Sequence, residues 1–229
     1  MKMAECTTTP STIAPPGRFR INLPNQITIL RLLLSIVFFV CLAQFDGRAA
    51  SPRLRLLDVS AALFIVAGLT DILDGYLARK YKQVTSFGRV IDPFVDKILV
   101  IGAYAFLAGN GFVNPHGQNI SGVAAWMVVI ILARELLVTS IRGVSEASGK
   151  AFGANVYGKA KMLLQVVTVC WVLFALAHPV QPDSTLLWRF LVGCKPVMLY
   201  LTVFVTVLSM IPYLWSARAV LSQTSASSS

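Results

Sequence analysis

The sequence predicts an all-α integral membrane protein, six transmembrane helices around a polar cavity that faces the cytoplasm. Three observations lead there. The 229 residues are 56% hydrophobic with a mean hydropathy of +0.71, too apolar for a soluble domain of that length. Six apolar stretches of membrane-spanning length alternate with polar or glycine- and proline-bearing segments. Two of those stretches carry four aspartates between residues 71 and 96, which lipid-facing helix does not tolerate without a purpose. Only 13% of residues are charged, yet the formal net charge is +10. In a chain this apolar, that excess belongs with anionic lipid headgroups and anionic substrates rather than with nucleic acid.

Residues 1–20 hold Thr, Ser, Pro and two arginines without an apolar signal core, so they read as a disordered or interfacial tail. One membrane domain, residues 21–218, follows, and the Ser-rich residues 219–229 form a second disordered tail. The first span is Asn25 to Gln44, with Pro24 at its start and one charge, Arg31, about 9 Å in. Arg31 either snorkels to the surface or faces a polar site. A loop with Arg48, Arg53 and Arg55 leads to the second span, Asp58 to Arg79. Phe87 to Ala108 is the third, and Gly109 to Ser121, with Pro115, is a loop. Gly122 to Ile141 is the fourth span, Arg142 to Ala160 a loop, and Lys161 to Ala177 the fifth span. His178 to Pro196 is a loop with room for a short interfacial helix, and Val197 to Ser216 is the sixth span.

The acidic residues flank one basic turn. Asp71 and Asp74 close the second span, Asp92 and Asp96 open the third, and Arg79, Lys80 and Lys82 lie between. Spacings of three and four put each pair on one helix face. Counted from the turn, Asp74 and Asp92 both lie about 7.5 Å deep, and Asp71 and Asp96 about 12–13 Å. Each ionisable residue at the centre of a membrane helix costs roughly 2.5–3.5 kcal/mol, less near the interface, and four carboxylates repel one another. Clustered carboxylates are hard oxygen ligands for Mg²⁺ or Mn²⁺, and a two-ion site relieves the conflict. Ion pairing with Arg79, Arg89, Lys97 or Arg134 is the plainer alternative. It leaves the small residues Gly75, Ala78 and Gly88 without a reason, whereas close approach of a ligand or backbone supplies one.

A second constellation, basic this time, comprises Arg134, Arg142, Lys159 and Lys161. An intramembrane arginine reads as functional. Glu135 is adjacent to Arg134, and neighbours on a helix do not face each other, so Arg134 is expected to find another partner; a phosphate suits its forked donors. Lys159 and Lys161 serve equally well as interfacial anchors. Six spans put both termini on one side. That side collects eleven Lys and Arg against five on the other, which places the termini, the acidic cluster and the basic constellation in the cytoplasm. Cys6, Cys41, Cys170 and Cys194 lack metal-ligand spacing, no disulfide is expected, and His116 and His178 fall in outer loops as bystanders.

The spacing D-x2-D-G-x2-A-R-x8-G-x3-D-x3-D is met at Asp71, Asp74, Gly75, Ala78, Arg79, Gly88, Asp92 and Asp96, and it resembles the signature of the CDP-alcohol phosphatidyltransferase family. The stretches N-L-P-N-Q-I-T-I-L-R, A-R-E-L-L-V-T-S-I-R and Y-G-K-A-K resemble the branch whose acceptor is glycerol 3-phosphate. The resemblance implies a homodimer of the inner cell membrane that joins CDP-diacylglycerol to glycerol 3-phosphate. It implies that Asp71, Asp74, Asp92 and Asp96 hold two Mg²⁺ or Mn²⁺ ions and that Asp96 is also the catalytic base. Asn25, Asp71, Asp74, Gly75, Ala78, Arg79 and Gly88 would line the nucleotide. Arg31, Arg134, Arg142, Lys159 and Lys161 would receive the acceptor phosphate. A sister enzyme using inositol phosphate or serine shares the same core signature. A divalent-cation transporter is the remote alternative, disfavoured because the acids lie near one face and no internal repeat is visible.

Overall fold

The computed structural model describes residues 23–49, 53–81, 86–147, 156–181 and 184–215. The described residues form seven α-helices: α1 (Leu23–Ala43), α2 (Arg55–Tyr81), α3 (Ser86–Leu107), α4 (Ala125–Ala147), α5 (Val156–Ala177), α6 (Leu186–Gly193) and α7 (Lys195–Leu208). A short 3-10 turn covers Asn110–Phe112, and among the described residues there is no strand beyond one bridge between Val113 and Asn119. The expected tails and Lys82 of the basic turn lie outside the described residues, as do the side chains of Arg79 and Lys80.

Each expected span corresponds to a helix, with different ends. α4 runs six residues past Ile141, because Arg142-Gly143-Val144-Ser145-Glu146-Ala147 contains no proline and a helix need not stop where the bilayer does. α5 starts five residues before Lys161 for the same reason. The loop before the sixth span does contain a short helix, α6, capped by the Thr185 hydroxyl, which accepts from the Trp188 amide. Cys194 ends α6 and begins α7, so the apolar run extends from Leu186 to Trp215 rather than starting at Val197. That run and Ala160–Ala177 are the two stretches among the described residues long and apolar enough to cross a membrane. The sixth span is not one continuous rod. α7 stops at Leu208 and a separate helical turn begins at 211, because Pro212 has no amide hydrogen to donate back to Leu208.

The packing is inside-out relative to a water-soluble bundle. Leu30, Leu33, Ile36, Val37 and Val40 of α1 face outward, as do Val197, Tyr200, Leu201 and Phe204 of α7. That is the pattern of helices solvated by lipid. A shallow apolar groove along α7, lined by Pro196, Val197, Tyr200, Leu201 and Phe204, belongs to this outer face and carries no chemistry. Inside, α1 packs on α2 and α3, and α5 lies against α2, α3 and α7. Phe38 meets Phe64 with ring centroids 5.3 Å apart, and Phe39 stacks on Phe106 at 5.4 Å. Gly102 of α3 permits the latter, since a Cβ there would stand 2.5 Å from Phe39 Cζ.

A polar seam also runs through the interior between α3, α5 and α7. Thr168 and Thr202 share a 2.7 Å hydrogen bond, Gln165 Nε2 donates to Thr206 Oγ1, and the Tyr104 hydroxyl donates to the Gln165 carbonyl. All five side chains are buried. Away from water each needs a partner, so the seam sets the register of α5 on α7. At the other end of the bundle the segment after α1 and the loop after α3 are joined by Gly47 N–H donating to the Gly111 carbonyl at 2.8 Å and by Phe45 against Phe112. Lys195 reaches the Ile120 carbonyl. His178 lies 3.7 Å from Asp58 and packs on Phe174 and Trp188, which tethers α5, α2 and α6. Cys41, Cys170 and Cys194 are free thiols.

Candidate active site

The helices that carry the acidic signature form as its spacing requires. Asp71, Asp74, Gly75, Ala78 and Arg79 lie in the helical backbone near the end of α2, and Gly88, Asp92 and Asp96 lie in the first half of α3. Their side chains, like those of Asn25 and Lys159, lie outside the described residues. Both α2 and α3 are flanked by α1 and α5. Arg31 of α1 is completely buried, so it does not snorkel to the surface; α1 packs on α2 and α3.

The basic constellation is described in detail at Arg134, Arg142 and Lys161. Arg134 (α4) and Lys161 (α5) are both about 5% exposed. Contrary to expectation, Glu135 is a partner of Arg134. Its Oε1 lies 3.5 Å from Arg134 Nη1 and is ion-paired with Lys161 Nζ. The rule that helix neighbours diverge holds for Cβ vectors. Long, flexible side chains swing around the helix, and here Lys161 across the interface draws the carboxylate round to Arg134. Two buried cations therefore share one carboxylate.

Arg134 is held on its other sides by the segment after α7. Its Nε donates to Ser209 Oγ at 3.0 Å, and its guanidinium carbon lies 5.7 Å from the centroid of the Tyr213 ring. Ser209 passes its own proton to the Thr206 carbonyl, which continues the polar seam. Arg134 Nη2 is buried and has no hydrogen-bond partner among the described residues. A buried guanidinium donor without an acceptor is costly, and an incoming anion would satisfy it. Arg142, exposed about two helical turns further along α4, donates from Nη2 to the Tyr213 hydroxyl at 3.4 Å.

One contact ties this constellation to the acidic stretch. Lys97, the residue after Asp96, donates to Thr139 Oγ1, and Thr139 in turn donates to the Glu135 carbonyl. Lys97 of α3 thus contacts α4 at Thr139, one helical turn past Glu135. Ser209 and Tyr213 had no signal in charge or motif. The hint available was Ser-Met-Ile-Pro-Tyr, a proline breaking an apolar run just before a tyrosine.

Comparison with known proteins identifies the family. The family model described as CDP-alcohol phosphatidyltransferase matches residues 21–211. The chain belongs to the CDP-alcohol phosphatidyltransferase family. It is 38% identical to the CDP-diacylglycerol–glycerol-3-phosphate 3-phosphatidyltransferase of Bacillus subtilis over 159 residues, 66% of this chain and 76% of that protein. It is 30% identical to the enzyme of the same name from Haemophilus influenzae over 204 residues, 87% of this chain and 95% of that one. It is 35% identical to a probable phosphatidylglycerophosphate synthase of Mycobacterium tuberculosis over 173 residues, 75% of this chain. The expected motif positions fall inside the span that matches the CDP-alcohol phosphatidyltransferase model.

Proposed function

We propose that this membrane protein transfers the phosphatidyl group of CDP-diacylglycerol to glycerol 3-phosphate, forming phosphatidylglycerophosphate and releasing CMP. The observation that carries the reading is a buried cation pair, Arg134 and Lys161, that shares the one carboxylate of Glu135, on a helix that Lys97, next to Asp96 in sequence, contacts at Thr139. An acceptor that brings its own phosphate suits that pair. Two cations share a single carboxylate, and one guanidinium nitrogen lacks an acceptor. The relatives named above act, by their names, on these substrates.

In this reading six helices span the inner cell membrane and the site opens to the cytoplasm, where glycerol 3-phosphate is dissolved. The diacylglycerol tails stay in lipid beside it. The donor set offered by Asp71, Asp74, Asp92 and Asp96 is four hard oxygen carboxylates on two helices, which fits a pair of Mg²⁺ or Mn²⁺ ions. Bound there, such ions neutralise the diphosphate and the departing CMP. Arg79, Gly75, Ala78, Gly88 and Asn25 border the nucleotide. Arg134, Arg142, Lys159, Lys161 and Arg31 hold the acceptor phosphate, so that its free hydroxyl points at the phosphorus bearing the diacylglycerol oxygen. Asp96 takes the hydroxyl proton. The new P–O bond forms as the bond to CMP breaks, and CMP departs with the electron pair. The protein acts as a homodimer.

The test is CMP release by purified protein in detergent–lipid micelles with CDP-diacylglycerol and glycerol 3-phosphate, with Mg²⁺ or Mn²⁺ and after chelation. Release that needs both acceptor and metal is expected. Release with inositol phosphate or serine but not with glycerol 3-phosphate would move the chain to a sister activity, and no release with any acceptor would end the reading.

A further inference from the structure

We infer that Tyr213, set in place by the proline break after α7, is a positioning residue of the acceptor site that fixes the spacing of its two arginines. The inference rests on the assignment of Arg134 and Arg142 to the acceptor phosphate. Tyr213 is 4% exposed. Its burial follows from the backbone. α7 ends at Leu208 with Ser209 as its cap, the amide of Met210 turns back to the Val207 carbonyl, and a new helical turn holding Pro212 begins at 211. The Ser209 hydroxyl and the Tyr213 ring thereby meet the same guanidinium from two directions.

The ring and the hydroxyl of Tyr213 address different arginines. The ring lies over Arg134, a cation–π contact in a place without water. The hydroxyl accepts from Arg142 Nη2 at 3.4 Å and would sit 3.6 Å from a Cβ placed on Gly158 of α5. Because its oxygen accepts from Arg142, the phenol proton is free to point elsewhere. Two like charges are therefore held at a set distance by one rigid side chain that has two rotatable bonds. Like charges joined through one side chain repel each other, and a phosphate monoester within reach of both would relieve that repulsion. Glu135, Ser209 and Tyr213 occupy three sides of Arg134 and leave Nη2 as its donor to the ligand.

The experiment compares wild type with Tyr213→Phe and Ser209→Ala, each nearly isosteric, in the CMP-release assay. Glycerol 3-phosphate and CDP-diacylglycerol are varied separately, and inorganic phosphate is added as competitor. Loss of one hydrogen bond to a charged group predicts a rise of about fivefold to tenfold in the KM for glycerol 3-phosphate in Tyr213→Phe. The inhibition constant of phosphate should rise in parallel, while the KM for CDP-diacylglycerol stays at the wild-type value. Ser209→Ala should move the same two constants. A purely structural role would lower the melting temperature and move both KM values together, which would overturn the inference. Unchanged constants in both variants, in an enzyme that Arg134→Ala impairs, would overturn it while leaving the proposed function intact. A wild type that does not use glycerol 3-phosphate would overturn both.

Discussion

Glu135→Gln tests the electrostatics of the site without touching any group assigned to substrate. Glu135 is 13% exposed in its side chain and is the carboxylate shared by Arg134 and Lys161, themselves 6% and 5% exposed. Glutamine keeps the volume and one oxygen acceptor but removes the charge. Breaking a buried ion pair from one side costs about 3–5 kcal/mol. The amide oxygen retains one hydrogen bond to Lys161, so the net loss should be about 1–3 kcal/mol. For a chain of this length that is a fall in melting temperature on the order of 5 °C. The informative arm is anion rescue. In wild type an added phosphate competes with the carboxylate for the cations. In Glu135→Gln it replaces the missing charge. Inorganic phosphate at a hundredfold excess over its dissociation constant from the variant should therefore stabilise the variant by about 2.7 kcal/mol, and the wild type, which binds it more weakly, by less. Thermal unfolding of the detergent-solubilised protein, with and without phosphate at fixed ionic strength, reads both effects. A variant as stable as wild type without anion, or an equal phosphate shift in both proteins, would refute the view that Glu135 neutralises a buried cation pair.

Three further outcomes are expected. Asp96→Asn should abolish CMP release while nucleotide binding, followed by CDP titration, stays close to wild type; substantial turnover in metal-replete variant would remove Asp96 as the base. Arg134→Ala should raise the KM for glycerol 3-phosphate by about tenfold or more, with a much smaller effect on that for CDP-diacylglycerol, because a buried charged hydrogen-bond donor is lost. Gly111→Ala should destabilise the protein by about 1–3 kcal/mol through overpacking and leave both KM values unchanged. Its new Cβ would stand 2.9 Å from the Phe45 carbonyl oxygen, at the end of the bundle where Gly47 bonds Gly111. A melting temperature equal to wild type would show that this junction yields freely.

Much of the protein is legible from the order of its residues. Apolar runs of spanning length mark where helices form, since in lipid a backbone must satisfy its own hydrogen bonds, and each expected span has its helix. The eight motif positions place the chain in its family without any contact being known, because fixed spacing on a helix already implies a shared face. Where a helix stops is less legible. α4 passes Ile141 and α7 breaks at Ser209, because the bilayer edge and the end of hydrogen bonding are set by different forces. Arg31 and Glu135 show the larger gap. Both admit two readings along the chain, a surface arginine or a buried one, an idle neighbour or a partner. The choice depends on which helix covers Arg31 and on Lys161 arriving from α5. Tyr213 carries no local sign of function, and its meeting with Arg134 and Arg142 across more than seventy residues exists only once α4 and the turn after α7 are packed. Secondary structure and family follow from short-range periodicity. The partners of a charged group follow from long-range packing, because the energy of a buried charge is decided by what surrounds it in space.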